Sequence, residues 1–173
     1  MNLPNVLTIF RMALIPLYLL VFFSEQPFHL ELALAILLLA GLTDIADGYI
    51  ARKYKMVTSF GVMMDPLADK LMMMSVIASF FITDRISLWA TLFFIARDAA
   101  MIATGAVYHF RGKKTVPANV FGKLTTVLLY LVTPLVMYRY PYGEAILWSV
   151  IAFSFLASAI YLVKARLLNR MPS

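Results

Sequence analysis

A chain of 173 residues that is 62% hydrophobic and only 14% charged is too apolar for a soluble globular domain. Soluble domains are about half apolar and about a quarter charged. The absence of cysteine excludes disulfides, thiolate metal sites and cysteine nucleophiles. A net charge of +6 in so apolar a chain fits basic loops facing an anionic membrane surface, rather than nucleic-acid binding. We therefore expect an integral membrane protein without a nucleic-acid partner.

Six hydrophobic stretches follow one another along the chain, each near the roughly 20 residues that cross a bilayer. They run approximately over residues 6–23, 32–51, 60–82, 86–108, 120–138 and 145–163. The segments between them are too short for a second domain. This rhythm predicts an all-α membrane protein in which residues 1–173 form one domain, a single bundle of six transmembrane helices.

The basic residues predict the orientation of these helices. They cluster after the second, fourth and sixth stretches, as Arg52, Lys53, Lys55, Arg111, Lys113, Lys114, Lys164, Arg166 and Arg170. The alternate loops carry only Arg85 and Arg139. Because cytoplasmic loops are enriched in Lys and Arg, these clusters and both termini are expected in the cytoplasm.

Four aspartates interrupt the second and third stretches at helical spacing. Asp44 and Asp47 are three residues apart, and Asp65 and Asp69 are four apart, so each pair shares one helix face. A carboxylate inside a membrane helix costs roughly 2.5 to 3.5 kcal/mol, which something must offset. Two adjacent antiparallel helices would present all four at similar depth near the cytoplasmic boundary. Hard oxygen ligands at that density suit Mg²⁺ or Mn²⁺.

The residues around these aspartates resemble the signature of a known family. The pattern reads Asp44-x-x-Asp47-Gly48-x-x-Ala51-Arg52, then Gly61-x-x-x-Asp65-x-x-x-Asp69. It resembles the CDP-alcohol phosphotransferases (phosphatidyltransferases), with every specified position present. The N-terminal pattern Pro4-Asn5-x-x-Thr8-x-x-Arg11 and the length resemble the phosphatidylglycerophosphate synthase branch.

The resemblance implies a fold and an activity. Its members are six-helix membrane homodimers with a polar cavity open to the cytoplasm, which suggests a bacterial-type inner membrane for this chain. They bind two divalent cations, Mg²⁺ or Mn²⁺. They transfer the phosphatidyl group of CDP-diacylglycerol to an alcohol and release CMP.

The resemblance also implies roles for individual residues. Asp44, Asp47 and Asp65 would be metal ligands, and Asp69 would be both a ligand and the general base for the acceptor hydroxyl. The residues expected along the CDP-lipid are Asn5, Thr8, Gly48, Ala51, Arg52 and Gly61.

The acceptor alcohol depends on a different part of the chain. An acceptor with a phosphate, such as glycerol 3-phosphate, needs fixed cations. The candidates are Arg97, Arg111, Lys113, Lys114 and Lys123. We interpret Arg111, Lys113 and Lys114 as loop charges and favour Arg97 and Lys123. Arg97 lies within an apolar stretch and is followed by Asp98, so an internal ion pair that locks the fourth helix is the alternative.

Two positions near Lys123 depart from the pattern of phosphatidylglycerophosphate synthases. Thr125 stands where those enzymes carry a second Lys, and Leu129 stands where they carry Gln. Asp98, directly after Arg97, stands where they tend to carry Glu. These variants resemble cardiolipin synthases of the CDP-alcohol type, whose acceptor is phosphatidylglycerol. We favour glycerol 3-phosphate as acceptor and keep phosphatidylglycerol as the alternative.

A different class of function is also compatible with buried acids. Intramembrane carboxylates mark ion pathways as well as active sites, so a cation or proton-coupled transporter is the alternative. Transporters commonly show internal repeats, and none is visible in this sequence. The sequence therefore favours an enzyme.

Overall fold

The computed structural model describes residues 3–54, 59–110 and 120–168, which form six α-helices and no strand. The helices are α1 (Leu3–Phe22), α2 (His29–Lys53), α3 (Ser59–Ile82), α4 (Leu88–Phe110), α5 (Val120–Met137) and α6 (Gly143–Leu168). Each corresponds to one predicted hydrophobic stretch, with ends that differ by a few residues. The prediction of an all-helical chain is thus confirmed for the described residues. Lys55, Arg111, Lys113, Lys114 and Arg170, which helped predict the orientation, lie outside them.

Within the described residues, three helical segments are long and apolar enough to cross a membrane. These are His29–Ile50, Val120–Met137 and Gly143–Arg166. A shorter apolar segment, Val6–Phe22, lies in α1. The remaining helices, α3 and α4, carry charged residues inside otherwise apolar sequence: Asp65, Asp69, Lys70, Arg97 and Asp98. The structure therefore confirms an apolar helical chain and assigns three candidate spans.

The chain divides into two compact units. Unit 1 is Met1–Thr83 and contains α1, α2 and α3, whereas unit 2 is Asp84–Ser173 and contains α4, α5 and α6. In unit 1, α1 packs against α2 and α3, which also contact each other. In unit 2, α6 packs against α4 and α5.

One face of α1 forms the centre of unit 1. Its buried residues are Thr8, Arg11, Leu14, Tyr18 and Phe22, which recur every three or four positions as one helix face requires. The C-terminal part of this face is apolar and aromatic, while its N-terminal part is polar. At the polar part, Arg11 contacts Asp44 and Asp47 of α2.

Two contacts define how α1 and α3 are aligned. The Tyr18 hydroxyl lies 3.0 Å from Ser79 Oγ, and the rings of Phe22 and Phe80 have centroids 6.0 Å apart. Both Tyr18 and Ser79 are fully buried. Because residue numbers increase together in these pairs, the two helices run in the same direction.

Polar contacts hold the ends of α4, α5 and α6 together in unit 2. Ser87 caps α4 by accepting a hydrogen bond from the Ala90 N–H, at 3.3 Å. The Ser87 N–H donates to Glu144 Oε1 of α6 at 2.8 Å, and Arg85 donates to the Met137 carbonyl of α5. Arg85, one of the few basic residues predicted outside the cytoplasm, therefore satisfies a helix C-terminus.

The turn between α5 and α6 brings two backbones into close contact at Gly143. A Cβ added to Gly143 would lie 2.9 Å from the Leu135 carbonyl oxygen and 3.2 Å from the Val136 nitrogen. Backbone atoms cannot move away as a flexible side chain can. Glycine at this position therefore allows α6 to begin directly against the end of α5.

We expect Gly143→Ala to destabilise unit 2 because the methyl group would force these backbones apart. Overpacking of this kind costs about 1 to 3 kcal/mol. Thermal unfolding in detergent should show a Tm several degrees below that of the native protein. Ala145→Ser, at an exposed position two residues later in α6, is the control and should leave Tm unchanged. Equal Tm values for Gly143→Ala and the native protein would contradict this explanation.

Candidate active site

A buried arginine of α1 lies between two of the aspartates of α2. Arg11 Nη1 lies 2.6 Å from Asp44 Oδ1, and Arg11 Nη2 forms a second ion pair with Asp47 Oδ2. The side chains of Arg11 and Asp47 are 1% and 2% exposed, whereas that of Asp44 is 41% exposed. The cluster is therefore buried on the Asp47 side and accessible on the Asp44 side.

The helix period of α2 places both carboxylates on its inner face. Ala33, Leu37 and Ala40 are buried at steps of four and three residues, and the same steps lead to Asp44 and Asp47. The apolar part of this face packs in the core. Its polar part needs a cation, because an uncompensated carboxylate in an apolar environment is costly.

The alignment of α1 and α3 brings Asp69 to the same end of unit 1. The same number of residues back from Phe22 and Phe80 leads to Arg11 and Asp69. Counting back in the same way from Tyr18 and Ser79 leads to Arg11 and Met72. Since parallel helices rise equally per residue, Asp69 lies within about one turn of the height of Arg11. The Asp69 side chain is half-buried. Asp65 lies one turn earlier on α3, but its side chain is outside the described set.

The donor chemistry of this cluster fits a divalent cation. Asp44 and Asp47 converge on one positive group, and carboxylate oxygens are the ligands that Mg²⁺ and Mn²⁺ prefer. No group of three or more His, Cys, Asp or Glu side chains converges as a metal site among the described residues, to which the side chain of Asp65 does not belong. The assignment of all four aspartates as ligands stays a prediction.

The residues predicted to contact the CDP-lipid lie on the same three helices. Thr8 is 1% exposed and lies one turn before Arg11 on the inner face of α1. Gly48 is half-buried and follows Asp47 directly. The others lie on helices of unit 1, but their side chains are outside the described set: Asn5, Ala51, Arg52 and Gly61.

Arg97, a predicted acceptor-binding residue, lies within unit 2 and connects α4 to α6. Its Nη1 lies 2.5 Å from Asp98 Oδ1, and its Nε donates to Ser158 Oγ at 3.0 Å. Asp98 and Ser158 are buried. The ion pair that the sequence offered as the alternative is thus present, and contact with an acceptor stays a prediction.

Lys123 and the two departures from the synthase pattern lie on α5 in different environments. Lys123 is exposed, whereas Thr125 and Leu129 are buried. The Thr125 hydroxyl donates to the Phe121 carbonyl at 2.9 Å. Thr125 and Leu129 therefore belong to the packing of unit 2, whereas Lys123 is exposed in the first turn of α5.

Arg11 is the residue of this cluster that the sequence analysis did not assign to the site. It is the sole charged residue of α1. A lone arginine within an apolar helix requires a buried anionic partner, and the aspartates of the next helix were the available ones. The need for an anionic partner could therefore have predicted that Arg11 pairs with these aspartates.

Comparisons with known proteins cover both units of the chain. The family model described as CDP-alcohol phosphatidyltransferase matches residues 1–156. This match begins before α1 and ends within α6. It includes Arg11 and all four aspartates of the predicted signature.

Curated relatives match over similar lengths. The chain is 37% identical to a CDP-diacylglycerol–glycerol-3-phosphate 3-phosphatidyltransferase of Rickettsia bellii, over 85% of this chain and 86% of the relative. It is 33% identical to a protein of the same name from Bacillus subtilis, over 94% of each. It is 30% identical to a CMP-forming cardiolipin synthase of Streptomyces coelicolor, over 79% of this chain and 65% of that relative. With the family model matching most of its length, this chain belongs to the CDP-alcohol phosphatidyltransferase family.

Proposed function

We propose that the protein transfers the phosphatidyl group of CDP-diacylglycerol to a hydroxyl of glycerol 3-phosphate and releases CMP. The observation that carries this proposal is the Asp44–Asp47–Arg11 cluster, which lies within the family signature. Relatives named for this reaction are 33% and 37% identical to the chain over most of its length. Membership of this family also favours an enzyme over an ion transporter.

Asp44, Asp47, Asp65 and Asp69 would hold two divalent cations, Mg²⁺ or Mn²⁺. Such cations, when bound, would neutralise the diphosphate of the lipid and the charge on the departing CMP. The two carboxylates that converge in the structure support this role, as does the presence of Asp69 at the same end of unit 1.

Asp69 would act as the general base for the acceptor. Its carboxylate takes the proton of the acceptor hydroxyl while the hydroxyl oxygen attacks the phosphorus that carries diacylglycerol. The bond from that phosphorus to the bridging oxygen breaks, and CMP leaves with the electron pair. Asp69 suits this role because its side chain is half-buried and lies at the polar end of unit 1.

The CDP-lipid would lie along the polar faces of α1, α2 and α3. Thr8 and Gly48 flank the cluster in sequence, one offering a hydroxyl and the other the absence of a side chain. The full proposed set also includes four residues whose side chains are not described: Asn5, Ala51, Arg52 and Gly61.

Arg97 and Lys123 would bind the phosphate of glycerol 3-phosphate. Lys123 is exposed, so its ammonium group can reach a soluble anion. Ser158 and Asp98 hold the Arg97 guanidinium in a defined orientation, which reduces the entropy lost when a further anion binds.

The two units would form one membrane domain of six spans, paired as a homodimer with a polar cavity facing the cytoplasm. The match of one family model across both units supports a single domain. Three apolar helices of spanning length support residence in a bilayer. The protein would reside in a bacterial-type inner membrane, where membrane lipids surround its helices. Both termini and the active site would face the cytoplasm.

A cardiolipin synthase that uses phosphatidylglycerol is the second candidate. Thr125 and Leu129, together with the 30% identity to the Streptomyces coelicolor relative, favour it. Thr125 and Leu129 are both buried in the packing of unit 2, however. The relatives from Rickettsia bellii and Bacillus subtilis, which match over most of their length, are named as glycerol-3-phosphate 3-phosphatidyltransferases.

Release of CMP distinguishes these acceptors. We expect the protein, purified in detergent and supplied with Mn²⁺ or Mg²⁺, to release CMP from CDP-diacylglycerol when glycerol 3-phosphate is added. Phosphatidylglycerol is offered in a parallel reaction, and EDTA is the control for both. Release with phosphatidylglycerol alone would identify a cardiolipin synthase, and no release with any alcohol would refute the proposed function.

Asp69→Asn should lower kcat by about 10² to 10⁴, because the amide cannot accept the hydroxyl proton. The KM for CDP-diacylglycerol should change far less. The measurement is steady-state CMP release with both substrates varied. Ser75→Ala is the matched control, since Ser75 lies on the same helix and its hydroxyl donates to the local Leu71 carbonyl at 2.9 Å. Near-normal turnover by Asp69→Asn would remove Asp69 from the mechanism.

Lys123→Ala should raise the KM for glycerol 3-phosphate by about tenfold, or ~1.4 kcal/mol, through loss of one cation at the acceptor phosphate. The KM for CDP-diacylglycerol should stay constant. Lys164→Ala, which removes an exposed cation from α6, is the control. If both substitutions change the KM values equally, Lys123 is a general surface charge and not an acceptor contact.

A further inference from the structure

We propose that Arg11 is the internal cation of the metal-free site, and that a divalent cation bound by Asp44 and Asp47 displaces its guanidinium. This inference rests on the proposed metal role of those two aspartates. It adds that Arg11 of α1 must change its ion-pair partners when a divalent cation binds.

The first argument is the position of Arg11. Its two terminal nitrogens pair with a different carboxylate each, one on Asp44 and one on Asp47. The guanidinium thus contacts both carboxylates that would hold the proposed cation.

The second argument is burial. Asp47 is 2% exposed and Arg11 is 1% exposed, so water cannot stabilise either charge in full. Removing one partner of a buried ion pair leaves the other uncompensated. Arg11, the sole charged residue of α1, is therefore a buried positive partner of Asp47.

The third argument is charge balance. One guanidinium leaves the two carboxylates with one net negative charge, whereas a divalent cation neutralises them. Both cations on the same oxygens would lie within a few ångströms of each other and repel. Since one cation weakens the binding of the other, displacement is favoured over joint occupancy. The displaced guanidinium then requires another anion, and the diphosphate of a bound CDP-lipid can supply it.

The test uses the complete protein in detergent, first treated with EDTA and then titrated with Mn²⁺. The electron paramagnetic resonance signal of free Mn²⁺ gives its Kd, and thermal unfolding with and without Mn²⁺ gives Tm. Arg11→Gln removes the guanidinium that would compete with Mn²⁺ and leaves a neutral polar side chain. Arg97→Gln is the matched control, because Arg97 also pairs with a buried aspartate but lies in unit 2.

We expect Arg11→Gln to bind Mn²⁺ more tightly than the native protein, by about fivefold or more, as for two coupled ligands. Its Tm in EDTA should fall, and Mn²⁺ should restore most of the loss. Arg97→Gln should lose Tm in both conditions and keep the native Kd. Equal or weaker Mn²⁺ binding by Arg11→Gln would overturn the inference.

The metal role itself is tested separately by Asp47→Asn. If the native protein and Asp47→Asn bind Mn²⁺ equally, Asp47 is not a ligand, and both the metal assignment and the inference fail. If Asp47→Asn loses Mn²⁺ binding while Arg11→Gln gains none, the inference alone fails.

A measurement on the native protein covers the case in which Arg11→Gln does not fold. Phenylglyoxal modifies arginine side chains, and mass spectrometry maps the modified positions. Arg11 should react faster in Mn²⁺ than in EDTA, while the rate at Arg97 should stay the same. Equal rates at Arg11 in both conditions would contradict its displacement.

Discussion

The requirement that every charge inside an apolar helix has a partner governs unit 1. Arg11 on α1 satisfies it for Asp44 and Asp47 on α2, and all three lie on faces that are otherwise apolar. The ion pairs therefore specify which faces of α1 and α2 meet at the polar end. The aromatic contacts of Phe22 at the other end specify the alignment of α1 with α3. Together these contacts place Asp69 at the same end of unit 1 as the cluster.

Unit 2 meets the same requirement in another way. Arg97 pairs with its neighbour in sequence, Asp98, and reaches α6 through Ser158. This pair is local and already neutral, whereas the cluster of unit 1 keeps one excess negative charge after pairing. That difference explains why we place the divalent cations on the aspartates of α2 and α3. It also explains why Arg97 can both stabilise α4 against α6 and offer an oriented guanidinium to an acceptor.

The lengths of the six hydrophobic stretches predicted the six described helices, because these stretches are far less polar than the short connections between them. Helical spacing predicted that Asp44 and Asp47 share a face, and the family signature predicted the activity class. Arg11 was not assigned to the site because its partners are on another helix, and the alignment between helices depends on packing that spacing along one chain does not encode. The buried state of Thr125 and Leu129 depends likewise on the packing of unit 2.

The central claim is that the carboxylates now paired with Arg11 are the ligands of the catalytic cation. Anomalous X-ray diffraction from crystals grown with Mn²⁺, recorded at the manganese edge, tests it most directly. We expect a manganese peak within coordination distance of both Asp44 and Asp47, with the Arg11 guanidinium moved away from their oxygens. A peak elsewhere, with the Arg11 ion pairs intact, would contradict it.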